Sequence, residues 1–82
     1  KKLYYGISNL FFKKNLLIKA LENINKAILI DTKYARAYLL KSKILINQGN
    51  TKKACQILKK AKELGINTNN KDYKEAYNYC KK

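Results

Sequence analysis

The chain of 82 residues has no histidine, proline, tryptophan or methionine, and only two cysteines, three glycines and five acidic residues. Without histidine, no Cys–His nucleophile can be assembled within it, and a zinc site would fall short of the nitrogen and sulfur ligands that zinc takes. Cys55 and Cys80 form no CxxC pair. They are read as two reduced, small, semi-buried thiols, and their spacing alone does not support a bridge. Gly6, Gly49 and Gly65 are isolated, so no phosphate-cradling loop exists. Glu22 and Asp31 lie far apart in a helical frame, and Asp72 and Glu75 sit near the C-terminus. No two acids converge as a general acid/base pair would. The expectation is therefore a chain that is not an enzyme, with no catalytic residue, no metal and no cofactor. Apolar runs such as Leu10 to Phe12 and Leu16 to Ile18 are too short to span a bilayer.

What is abundant is lysine. The formal net charge is +14, yet 18 of the 19 basic residues are Lys and only Arg36 is Arg. Lys, Asn, Ile and Tyr together supply 44 of the 82 residues, and all four have A/T-rich codons. A site built to grip phosphates in fixed geometry would favour the planar, bidentate Arg fork. Most of the Lys excess is thus read as a solvated surface reflecting compositional bias, with weak, salt-sensitive, nonspecific polyanion binding as its consequence. The chain does not begin with Met and is read as a piece of a longer protein. Its compartment is left open, the cytoplasm being the default.

Apolar residues recur at helical spacing in five segments. Leu3, Tyr4, Ile7, Leu10 and Phe11 predict a helix over 3–14, and Leu17, Ala20, Leu21, Ile24, Ala27 and Ile28 one over 16–30. Ala37, Tyr38 and Leu45 predict a third over 35–47, Ala54, Ile57, Leu58, Ala61 and Leu64 a fourth over 52–64, and a fifth is expected over 71–81. Asn15, Asp31–Thr32, Gly49–Asn50 and the stretch from Gly65 to Asn70 separate them. Gly49 and Gly65 suit left-handed helix ends, and Thr51 and Asn70 are candidate N-caps. Glu22–Lys26 and Lys71–Glu75, four residues apart, are expected as surface ion pairs.

The segments also repeat, in a frame of 34 residues. Tyr4 returns as Tyr38, Ser8 as Ser42, Phe11 as Leu45, Ala20 as Ala54, Ile24 as Leu58 and Ala27 as Ala61. A partial third copy places Ala76 where Ser8 and Ser42 sit, and Tyr79 where Phe11 and Leu45 sit. Small residues at fixed places let two helices approach closely. Ser8 is accordingly expected to meet Ala20 and Ala27, and Ser42 to meet Ala54 and Ala61.

These positions resemble the tetratricopeptide repeat family: an aromatic, a small residue and a bulky ring in the first helix, then Ala, a bulky apolar residue and Ala in the second. The sequence departs from the family pattern in three ways. Neither copy has the Pro that usually closes it, Lys41 occupies a usually apolar position, and Asp72 replaces the aromatic of the third copy. The resemblance implies an all-α solenoid of antiparallel helical hairpins. Repeats would span residues 1–34 and 35–68, followed by a capping helix in 69–82 with a polar outer face.

The resemblance further implies a protein-interaction scaffold whose concave groove, lined by the first helix of each copy, takes a peptide or a partner helix. The groove residues would be Tyr5, Asn9, Phe12, Arg36, Leu39, Lys43, Asn47, Tyr73 and Tyr77, with Lys2, Lys13, Ile46, Asn70, Cys80 and Lys81 alongside. An aromatic and aliphatic floor with cationic and amide edges suits an acidic partner with apolar anchors. A full carboxylate clamp of the chaperone-binding members is not expected. Asn9 and Lys74 match its places, but Tyr5, Leu40 and Asn70 do not. Two alternatives stand beside this reading. One is an RNA-binding helical repeat using the Lys-rich surface, although the 34-residue period differs from the 35 of pentatricopeptide arrays. The other is a self-associating structural piece that pairs through the N-terminal Leu3–Tyr4–Ile7 face.

Overall fold

In the computed structural model, which describes residues 1–81, the chain forms five helices and, among those residues, no strand. They are α1 (Lys2–Lys13), α2 (Leu17–Ile30), α3 (Ala35–Asn47), α4 (Thr51–Glu63) and α5 (Lys71–Cys80). Each lies within two residues of its expected bounds; the last residue of the expected cap, 82, is outside the described range. α1 packs on α2 and α3 on α4 as the closest pairs, and α3 also meets α2, α5 and α1.

Three helices end the same way. Asn15, Gly49 and Gly65 take positive φ values of 60°, 82° and 97°. Around Asn15, the amide of Leu16 donates to the Phe11 carbonyl and that of Asn15 to Phe12, both at 2.9 Å. The same doubly bonded cap recurs at Gly49–Asn50 and Gly65–Ile66. Glycine adopts this backbone without a Cβ clash, and asparagine tolerates it better than most residues. At the helix starts, Asn70 accepts from the amides of Asp72 and Tyr73 as expected. For α4 the cap is Asn50, which accepts from the Lys53 amide, and not Thr51, which is already the first helical residue.

The connection from α2 to α3 holds without the missing proline. An Asp31 carboxylate oxygen accepts from the Lys33 amide, and the Tyr38 hydroxyl donates to the Thr32 carbonyl at 2.9 Å. Lys1 reaches Asp31 from the chain start. That bond, with the Lys33 amide, holds the Asp31 carboxyl below the usual carboxylate range.

Two hydrophobic clusters share α3. The first joins Ala20, Ile24 and Ala27 of α2 to Ala37, Leu40 and Ile44 of α3, with Tyr4, Phe11 and Phe12 of α1 packed against them. The second joins Leu39 of α3, Leu58 and Ala61 of α4, and Tyr73 and Ala76 of α5. Ser8 and Ser42 are wholly buried. Ser8 donates across the hairpin to the Ala20 carbonyl at 2.7 Å, whereas Ser42 turns back on its own helix to Leu39 at 2.6 Å. A buried hydroxyl must find an acceptor, and both do. Among the remaining repeat positions Leu45, Ala54 and Leu58 are buried and Tyr38 is half-buried, but Tyr79 is 52 % exposed. No second helix follows α5 within the described residues, so the Tyr79 ring has nothing of that kind to pack on.

Further expectations change in the structure. Cys55 and Cys80 are not reduced thiols but a disulfide joining α4 to α5, with Cα atoms 5.7 Å apart. Neither helical ion pair forms; among the described residues the pairs are Lys1–Asp31 and Lys43–Asp72. Lys26 instead lies over the Tyr4 ring, 5.6 Å from its centroid. The N-terminal face is only partly open: Leu3 and Leu10 are exposed, Ile7 is half-buried, and Tyr4 leans into the first cluster.

Lys41, at the usually apolar position, is half-buried. Burial lowers its pKa below the ordinary 10.5, and nearby Lys53 pushes the same way. The unfolded chain then binds the Lys41 proton more tightly than the folded one, so this residue weakens the fold below its folded pKa. That penalty fades as pH rises toward 10.5. Lys41→Met is expected to raise the melting temperature at neutral pH and to narrow its lead over the parent at alkaline pH. Parallel melts across that range check it, and an equal lead at every pH refutes it.

Candidate concave interaction cleft

Five helices turning back on one another bring the odd-numbered ones, α1, α3 and α5, to one side. Between them lies a cleft of about 290 Å³ lined by Phe12, Lys43, Ile46, Asn47, Glu75, Ala76 and Tyr79. Every lining residue sits in the last two turns of its helix. The floor is therefore aromatic and aliphatic, and the polar groups enter from α3 and α5.

The electrostatics of the cleft are mostly internal. Lys43 Nζ is 3.1 Å from Asp72 Oδ1 and 5.3 Å from the centre of the Phe12 ring. A partly exposed pair of this kind contributes little to stability, but it commits the one Lys on the cleft wall. Farther along the same side, Arg36 lies over the Tyr5 ring at 5.5 Å, and Tyr5 leans on Tyr34 with centroids 5.6 Å apart.

The expected groove residues divide in the structure. Phe12, Lys43 and Asn47 line the cleft, with Ile46. Tyr5, Asn9 and Arg36 lie on α1 and α3 outside its lining. Leu39 and Tyr73, only 6 % and 7 % exposed, are core residues of the second cluster and offer a ligand almost no surface. Tyr77 stacks on Tyr73 with centroids 6.0 Å apart and faces a different cleft, beside Cys55, Lys59, Lys62 and Cys80.

The disulfide explains the shift. At about 100° per residue, Tyr73, Tyr77 and Cys80 share one side of α5, while Asp72, Glu75 and Tyr79 share another. Joining Cys80 to Cys55 turns the first side toward α4 and leaves the second toward α3. Glu75 and Tyr79 thereby become cleft residues that the sequence reading missed. Their spacing with Asp72 is the signal that could have found them.

Stacked antiparallel helices around a shared apolar spine, with one concave side left open, define an α-helical repeat protein. Residues 35–64, which hold α3 and α4, match the family model of the tetratricopeptide repeat. No curated protein matches the chain. Tetratricopeptide repeats are generally protein-interaction modules and typically non-enzymatic scaffolds. Among the described residues, no three Cys, Asp or Glu side chains gather as metal ligands would, and no helix is long and apolar enough to cross a membrane.

Proposed function

We propose that this chain is a protein-interaction module that takes a short peptide or a partner helix in the cleft between α1, α3 and α5. In this reading residues 1–34 and 35–68 act as two repeats and 69–82 as a cap that supplies the third wall. The observation that carries it is the convergence of Phe12, Ile46 and Tyr79 from three helices on one open cleft. An exposed aromatic beside a half-buried one is the kind of site where an apolar anchor gains most on binding.

Selection of a random peptide library on the immobilised chain tests this. The enriched peptides are expected to bind the parent and to lose affinity at least about tenfold on Tyr79→Ala, a loss typical of a hot-spot side chain. Because Tyr79 is mostly exposed, this variant is expected to melt like the parent. Peptides that bind Tyr79→Ala as tightly as the parent, or a library that yields no binder, would overturn the proposal.

A further inference from the structure

We infer that the cleft selects an apolar anchor accompanied by a basic side chain, with Glu75 as the group that receives the cation. This rests on the cleft being the ligand site, and it reverses the acidic partner that the sequence suggests.

The chain-wide charge invites the opposite conclusion, but the arrangement inside the cleft does not follow it. Lys43 is already committed to Asp72 and to the face of Phe12. Glu75 lines the cleft and forms no ion pair among the described residues, although Lys71 stands one turn before it on the same helix. The wall of the cleft therefore presents a lysine already paired and a carboxylate with no ion-pair partner among the described residues.

Helix polarity adds an independent contribution. The lining residues belong to the C-terminal turns of α1, α3 and α5, so three negative helix ends gather at one cleft. Basic residues normally offset such ends. In this Lys-rich chain α1 has Lys13 in its last turn and α5 ends on Lys81 as its C-cap, so α3 is the end without a basic residue. The Tyr79 ring, half exposed and with no cation over it among the described residues, completes a surface that favours a cation, since ring faces attract ammonium and guanidinium groups. Lysine charges more than about 8 Å from Glu75 are largely screened at physiological ionic strength. A ligand cation in contact with Glu75 is governed by its immediate neighbours.

The same random-library selection, run in parallel on the parent, Glu75→Gln and Glu75→Lys, tests the inference. All three proteins are first checked for equal melting temperatures; position 75 is exposed, so equality is expected. Peptides enriched on the parent are expected to carry Lys or Arg close to an aromatic or aliphatic residue. They should lose at least about tenfold in affinity on Glu75→Lys, with Glu75→Gln in between. Selection on Glu75→Lys should favour Asp and Glu instead. If the parent enriches acidic peptides, or all three proteins enrich the same set, the cation preference is refuted. In that case, loss of binding on Tyr79→Ala still places the ligand in the cleft. A library that yields no binder refutes the cleft as a ligand site and this inference with it.

Discussion

Reduction of the Cys55–Cys80 bridge is expected to lower the melting temperature by roughly 15–25 °C. The two cysteines are 25 residues apart. Closing a loop of that length restricts the unfolded chain by about 3.5 kcal/mol in the chain-entropy description. For a domain of this size each kcal/mol corresponds to about 4–8 °C. The loss should concentrate at α5. That helix has only ten residues, too few to persist alone in water, and without the bridge it is held mainly by Tyr73 and Ala76 against Leu39, Leu58 and Ala61. Thermal melts with and without a dithiol reductant, and of Cys80→Ser, measure the shift. Hydrogen exchange of the α5 amides locates it. Coincident melts of the oxidised and reduced chain would show that the bridge is dispensable. The same experiment bears on the cleft, because α5 supplies Glu75, Ala76 and Tyr79.

Ala54→Leu is the second large expected effect, a loss of about 1–3 kcal/mol from overpacking. Ala54 is wholly inaccessible on α4, and α3 is the closest neighbour of that helix. Close-packed interiors have no spare volume for the added carbons, so either the helices separate or neighbouring side chains leave their rotamers. The melting temperature should fall by roughly 4–24 °C, whereas Ala54→Ser, close in size, should cost less. A Leu variant that melts with the parent would mean that α3 and α4 do not nest through small residues, and the hairpin argument would fail with it.

Much of the architecture was legible beforehand because it depends on local rules. Helical spacing of apolar residues set the five segments, and Asn15, Gly49 and Gly65 marked the ends because a left-handed residue there frees no other choice of cap. The wholly buried Ala20, Ala27, Ala54 and Ala61 stand where the 34-residue frame put small residues. The misread N-cap, Asn50 for Thr51, is an error of one residue between two competent capping types.

The cleft was legible only in part. Groove positions carried over from the first two copies did reach it at Phe12, Lys43 and Asn47, since α1 and α3 are each backed by a second helix that sets their rotation. The third copy has no such backing among the described residues. Its rotation instead follows the disulfide, which buries Tyr73, turns Tyr77 aside and brings Glu75 and Tyr79 inward. Two cysteines in sequence do not announce that they meet, because pairing needs the distance between their Cα atoms, and that distance exists only after α4 and α5 have packed.

Residue order alone thus settled the helices, their ends and the recurring small residues, since spacing and backbone preference act over a few neighbours. Which carboxylate faces the cleft, which tyrosines vanish into the core and which lysine is already paired depended on how separate helices came to rest against each other. Those outcomes turn on contacts between residues distant along the chain, and no local pattern encodes them.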